Sequence, residues 1–197
     1  MVWVVKIGGS LANNERLIDW LNLLANLDQA IVIVPGGGAF ADQVRRFQLR
    51  WQFSDDVAHQ MAILAMHQFG LMMADLDPRL DYAVSAYNVV KKLDQGFSTI
   101  IWLPSIEELQ QDRVPASWDV SADSLAAWLC SKLNADRLIL IKSAETSVYK
   151  ECSVPALQQN NIVDQAFAEM IKGLDCSLTV LGRNQLDLFP SQVDKNR

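Results

Sequence analysis

Apolar residues along this chain of 197 residues fall into two kinds of run. Five runs are short and nearly unbroken: VWVVKI (2–7), AIVIVP (30–35), STIIWLP (98–104), RLILIK (137–142) and SLTVLG (177–182). Each is rich in Val, Ile and Leu without strict alternation, which is how a strand covered on both faces reads. The other runs recur at intervals of three and four residues. Leu17, Ile18, Leu21 and Leu24 share one helical face; Phe40, Val44 and Phe47 share a second; Leu125, Trp128, Leu129 and Leu133 share a third. A longer helix is predicted over 56–71, with Val57, Met61, Leu64 and Ala65 on its buried side. The polar stretch holding Asp75, Asp77, Arg79 and Asp81 reads as a solvated crossover. Strands separated by helices imply a three-layer α/β/α sandwich with a mainly parallel central sheet. Residues 1–189 are expected to form a single domain, and PSQVDKNR (190–197) a flexible tail.

Composition narrows the classes. Half the residues are hydrophobic and 20% are charged, enough apolar content to fill a core. The net charge is -6 and no basic run exceeds two residues, so a reader of nucleic-acid backbones is not expected. No apolar run approaches the roughly 20 residues that cross a bilayer. The chain starts straight into a strand with no signal-peptide pattern, and a cytoplasmic protein is expected. Cys130, Cys152 and Cys176 form no CxxC and have no neighbouring histidines, which reads as free thiols in a reducing compartment.

In sheets of this kind ligands bind beyond the carboxyl ends of the strands. Three of those ends carry unusual residues. The first is Lys6-Ile7-Gly8-Gly9-Ser10. Successive amides in a glycine turn can form an anion nest, and Lys6 adds a mobile point charge. The plainer reading is a tight turn beside a lysine that is little buried. The lysine precedes the glycines, so this is neither a P-loop nor GxGxxG. The second end is Pro35-Gly36-Gly37-Gly38, running directly into a helix. Three glycines are costly in backbone entropy, so close approach of a ligand explains them better than a loose crossover. Together the two turns offer facing anion seats, one for donor phosphates and one for an acceptor. The third end holds Ser121, a helix N-cap, and Asp123 in the first turn. An acidic residue there is favourable for the helix alone. Its functional use would be to hold lysines or to face a magnesium-bound phosphate.

Other polar candidates are weaker. Lys142 closes the fourth strand and either reaches a nucleotide phosphate or points to solvent. His59 is a candidate for the acceptor pocket. His59 and His67 lie two helical turns apart, too far for a shared metal centre, and no metal ligand set is predicted. Phe40, Phe47, Trp51, Phe53 and Met61 either wall a flat or apolar acceptor or fill the core, and Arg45 and Arg46 suit a phosphate head. Met61, Met66, Met72 and Met73 read as packing filler.

The segments VKIGGS (5–10), VPGGG (34–38) and WDVSADSLAA (118–127), in this order and spacing, resemble the amino acid kinase family over about residues 1–145. The resemblance implies transfer of the γ-phosphoryl of ATP, with Mg²⁺, to a carboxylate, carbamate or phosphate oxygen. Lys6 would then contact the transferring group, and Gly8, Gly9, Ser10 and Lys142 would serve the nucleotide. Gly36, Gly37, Gly38 and His59 would bracket the acceptor, and Asp123 would orient the lysines. The short chain looks closest to the branch that includes the aminomethylfuran phosphate kinase of methanofuran synthesis, which favours a small phosphate monoester. Family members are usually dimers, and the 56–71 helix carries apolar residues beyond one stripe, including Met66 and Phe69, so a homodimer is expected. The chain departs from the family's pattern after residue 142. Residues 143–148 lack the usual DG pair, and FAEMIKGLDCS (167–177) stands where a glycine-rich turn and a later lysine are common, with Lys172 a poor substitute. A binding or assembly protein that keeps the fold without catalysis, or a kinase acting on a carboxylate or carbamate, are the alternatives.

Overall fold

The computed structural model describes residues 1–143 and 153–189. The chain alternates strands and helices from its start. Strand β1 (Val2–Ile7) is followed by a short 3-10 turn (Gly9–Asn13) and helix α1 (Arg16–Ala25). Then come β2 (Ala30–Pro35), α2 (Gly38–Trp51), α3 (Asp55–Leu76), β3 (Asp81–Ala83), α4 (Ala86–Asp94), β4 (Thr99–Trp102), α5 (Ile106–Gln111), α6 (Ala122–Leu133), β5 (Arg137–Lys142), α7 (Val154–Gln159), α8 (Phe167–Ile171) and β6 (Ser177–Gly182). The six strands form one sheet in the order β3-β4-β2-β1-β5-β6, and every pairing is parallel.

The five short apolar runs all become strands because helices cover both faces of the sheet. Alternate residues feed two cores. Val4, Val32, Val34, Ile100, Leu138 and Leu140 pack with α4, α6 and α8 on one face. Val5, Ile7, Ile31, Ile33, Ile139 and Ile141 pack with α1 and the second half of α3 on the other. This is the three-layer α/β/α sandwich that the sequence pattern implies. Among the described residues no helix is long and apolar enough to cross a membrane.

Four expectations are corrected. The polar stretch after α3 is not all crossover: Asp81, Tyr82 and Ala83 form the edge strand β3, too short and too exposed on Tyr82 to read as a strand. The buried side of α3 is carried by Ala58, Ile63, Ala65, Met66, Phe69 and Met73, whereas Val57 and Leu64 are 46% and 52% exposed. That helix is apolar nearly all round, so its periodicity does not single out one face. In α2 only Val44 is buried, and Phe40 and Phe47 face outward. Ile18 on α1 is likewise exposed. Residues 190–197, most of the 143–148 segment and Cys152 lie outside the described residues; Cys130 and Cys176 are free thiols.

Candidate active site

The parallel order sets Lys6 of β1 between two neighbours, in register with Val34 of β2 and Leu140 of β5. The strands therefore deliver the first glycine turn, the second glycine turn and Lys142 to one edge of the sheet. The two turns touch. Gly36 N–H donates to the Ile7 carbonyl at 2.9 Å, and Gly8 N–H donates to the Ile141 carbonyl at 2.9 Å. These bonds extend the strand pairing past the sheet's edge and occupy two glycine amides.

Side chains would not fit at the joint. A Cβ on Gly9 would lie 2.2 Å from the Gly38 nitrogen, and one on Gly36 would lie 2.4 Å from the Gly9 nitrogen. Both are contacts with main chain, which no rotamer can relieve. Gly38 also has φ +54, a left-handed conformation that glycine adopts without strain. The glycines are thus required by backbone packing as well as by any ligand.

Helix α6 runs back toward the same edge and carries Asp123 in its first turn. Asp123 is 3% exposed and is the meeting point of two lysines. Lys142 Nζ lies 2.5 Å from Oδ2 and Lys6 Nζ lies 2.9 Å from Oδ1. The Lys6 contact is off the axis of a good hydrogen bond and is foremost an ion pair. Lys6 is itself only 7% exposed, so the expectation of a little-buried strand-end lysine is corrected. Burial alone would raise the Asp123 carboxyl, but the two ammonium groups together outweigh it and hold the pKa below the ordinary carboxylate range. Burial, then repulsion from Lys6, lowers Lys142 to about 8, against the opposing pull of Asp123. The cluster carries a net positive charge at neutral pH, since one carboxylate faces two ammonium groups.

The start of α6 is held by a residue that sequence reading missed. Asp164 accepts from the backbone N–H of Ser121 (2.9 Å) and Ser124 (3.1 Å), from the Ser121 hydroxyl (2.6 Å) and from the Ser124 hydroxyl. Ser121 Oγ in turn accepts from Asp123 N–H at 3.3 Å. A carboxylate at this end meets the free amides and the positive end of the helix dipole. Asp164 stands 40 positions beyond Ser124, so no local pattern announces it.

A cavity of about 380 Å³ opens beside Lys6, the two glycine turns and the start of α6. Lys6, Gly9 and Ser10 lie on one side, Gly36, Gly37, Gly38 and Arg45 on another, and His59, Ile63 and Met66 of α3 close it. No side chain caps α2, so the amides of its first turn, at Gly38 and Ala39, remain for a ligand beside the cavity. The Arg45 guanidinium lies over the Trp118 ring, 4.4 Å from its centroid, and Trp118 Nε1 donates to Gln48 Oε1 at 2.6 Å. His59 borders the cavity with its Nε2 buried and unpartnered; burial pushes its pKa down, opposed by the Ser117 backbone and by Asp56. His67 is used differently, its Nε2 lying 2.8 Å from the Pro104 carbonyl. Lys172 is exposed and pairs with Glu169 at 3.7 Å, so Lys142 is the lysine that joins Lys6 at Asp123.

Abutting glycine turns, an open helix end and lysines gathered on a buried aspartate give this end of the sheet the geometry and charge that suit closely spaced anions. The sequence profile of the amino acid kinase family matches residues 1–149, and the chain belongs to that family. It is 31% identical over 178 residues to the [5-(aminomethyl)furan-3-yl]methyl phosphate kinase of Methanocaldococcus jannaschii, an alignment spanning 87% of this chain and 76% of that protein. Its fold resembles the uridylate kinase of Archaeoglobus fulgidus, with a TM-score of 0.69, 16% identity and coverage of 92% and 90% of the two chains. The UMP kinase of Ureaplasma parvum matches with the same TM-score at 15% identity, over 100% of this chain and 96% of that one.

Proposed function

We propose that this chain is an ATP-dependent phosphotransferase whose acceptor is a small phosphate monoester, serving the synthesis of a one-carbon cofactor of the methanofuran type. The observation that carries the reading is the convergence of Lys6 and Lys142 on buried Asp123, beside the uncapped first turn of α2. The relative named as a phosphate kinase supports the acceptor class. In this reading an oxygen of the acceptor's phosphate attacks the γ-phosphorus of ATP. The bond to the β–γ bridging oxygen breaks, its electron pair leaves with ADP, and the product is a diphosphate ester.

Each residue has a task in that step. Lys6 meets the equatorial oxygens of the transferring group, where charge is spread in the transition state. Gly9 and Ser10 face the donor side, and Lys142 supplies the second positive charge to the nucleotide. The Gly8 amide is engaged by Ile141, so Gly8 serves by shaping the turn. Gly37 and Gly38 with the α2 amides hold the acceptor's phosphate; Gly36, whose amide is used by Ile7, sets the approach of the two turns. Asp123 fixes both lysines, and an acceptor that is already an anion needs no general base. Among the described residues no group of three or more His, Cys, Asp or Glu side chains gathers to hold a metal. In this reading Mg²⁺ enters with the substrate, as the ATP complex on the nucleotide's phosphates.

The test is a coupled ADP-release assay at fixed MgATP, with [5-(aminomethyl)furan-3-yl]methyl phosphate, other small phosphate monoesters and free carboxylates as acceptors. Turnover with a phosphate monoester supports the reading. Turnover only with carboxylates moves the assignment to another branch of the family, and turnover with none favours a non-catalytic role. A homodimer is part of the proposal. Val57, Leu64, Leu71 and Leu76 leave a long apolar strip exposed on α3, next to exposed Phe47 and Trp51 of α2. A sedimentation mass near 22 kDa at tens of micromolar protein would overturn it.

A further inference from the structure

A second cavity, of about 280 Å³, adjoins the first and shares His59 and Ile63 with it. The two chambers differ in charge. Lys6 and Arg45 border the first, together with Asp42, which pairs with Arg45 at 3.5 Å, whereas no lysine or arginine lines the second. The second instead holds the Asp56 carboxylate and the Gln60 and Gln110 amides over an apolar floor that includes Leu109. Asp55 and Asp56 both sit in the first turn of α3, but only one is engaged. Asp55 accepts from Gln48 Nε2 at 2.7 Å, while Asp56 has no hydrogen bond or ion pair among the described residues. At the neck between the chambers, His59 Nε2 is buried without a partner. Burial favours the uncharged ring, which would not repel a cation there.

A pocket that is positive at one end and negative at the other suits an acceptor that is itself dipolar. We infer that the second cavity recognises a cationic arm of the acceptor, a primary ammonium at the end opposite its phosphate, with Asp56 as counter-ion and His59 as the hydrogen-bonding group at the neck. The inference rests on the phosphotransfer reading above and adds the specificity of the same site. The named relative's substrate carries such a group, since an aminomethyl nitrogen is protonated at neutral pH. The acceptor's reacting phosphate then lies at the Gly37 and Gly38 end, its ring passes along Ile63, and its ammonium reaches the Asp56 chamber. Asp56 is exposed in the free protein, so a neutral analogue forfeits a charge-assisted hydrogen bond to its carboxylate, which is the ground for rejecting it.

The experiment compares two acceptors, [5-(aminomethyl)furan-3-yl]methyl phosphate and the same compound with a hydroxymethyl group in place of the aminomethyl group. Wild type, Asp56→Asn and Asp55→Asn are each assayed for turnover and titrated by calorimetry. Wild type should prefer the amine by roughly tenfold to a hundredfold in kcat/KM, mostly through KM. Asp56→Asn should lose most of that ratio. Asp55→Asn removes the same charge from the same helix end, keeps an oxygen for Gln48, and should retain the wild-type ratio. An unchanged ratio in Asp56→Asn, or an equal loss in Asp55→Asn, overturns the inference. If wild type turns over neither compound, the phosphotransfer reading fails separately. Calorimetry then still decides this one, because equal affinity for the two compounds, or binding of neither, overturns it.

Discussion

Helices α2 and α6 begin at the same edge of the sheet and treat their first turns in opposite ways. The start of α2 is glycine, has no capping side chain and borders the main cavity. The start of α6 is filled by Ser121 and by the Asp164 carboxylate, with Asp123 locked beside it. Both ends present the same free amides and the same dipole. One set is left for a ligand, and the other is spent on fixing a charged cluster. An anion site of this kind needs both treatments, because an open donor set is useful only beside charges that do not move.

The comparison can be broken most severely at its filled end. Asp123→Asn keeps the shape of the side chain but leaves Lys6 and Lys142 buried against each other. We expect a loss of about 3–5 kcal/mol in urea unfolding, together with loss of turnover. Lys6→Ala should cut kcat by roughly 10²–10³, the scale of one lost transition-state donor. Asp123 keeps Lys142 in that variant, so an unfolding midpoint near wild type is expected. A kcat within threefold of wild type would remove Lys6 from the mechanism.

The open end calls for a smaller, more selective change. Ala at Gly38 must adopt φ near +54 and place its Cβ 2.7 Å from the Gly9 carbonyl oxygen. A cost of about 1–3 kcal/mol is expected, with a larger rise in acceptor KM than fall in kcat. Asp164→Ala should cost about 1–2 kcal/mol, the upper range for a lost helix cap. It should lower kcat severalfold through Asp123, while Asp164→Asn restores part of both. If Gly38→Ala and Asp164→Ala shift KM and kcat alike, the two helix ends do not have different jobs.

The mildest test is pH. With a folded pKa of about 8, Lys142 loses its charge as pH rises through that value. Nucleotide-dependent kcat/KM should therefore fall on an alkaline limb near pH 8, and Lys142→Met should lack that limb. The stability effect has the opposite sign. Between about pH 8 and the ordinary lysine range the unfolded chain binds the extra proton, so this group's contribution to stability rises with pH. A profile in which activity and this stability contribution fall together would remove Lys142 as their cause.

The contrast between the two helix ends also explains what the sequence could and could not reveal. The open end was legible because its chemistry is local: Gly36, Gly37 and Gly38 are consecutive and follow a buried strand. Asp123 was legible from its local pattern as a helix-start acid, and its use in holding lysines was one of two options until the family resemblance favoured it. Its meeting with Lys6 and Lys142 depends on β5 pairing with β1, and strand order leaves no trace in local periodicity. Asp164 was not legible at all, because its partners Ser121 and Ser124 are brought to it by tertiary packing. Among the elements, β1, β2, β5 and β6 could be read to the residue because both faces of the sheet are covered. The three residues of β3 were hidden by exposed Tyr82 and by the acidic residues around them. In α3 the apolar residues outside the core misplaced the buried face, and they are the same residues that form the exposed strip.

The glycine joint between the first two turns bears on how such a protein can change over generations. The distance between the proposed donor and acceptor seats is set where Gly9, Gly36 and Gly38 touch main chain to main chain. The contact is between main chains, so a substitution elsewhere can alter it only by moving backbone. The chambers proposed for the body of the acceptor are built from another part of the chain, chiefly α2, α3 and the segment before α6. Reach and taste are thus inherited separately. On the proposed assignment, mutations at positions such as Asp56, His59 or Met66 would try new acceptors without touching the glycine joint, so a lineage could explore new substrates without first dismantling its chemistry.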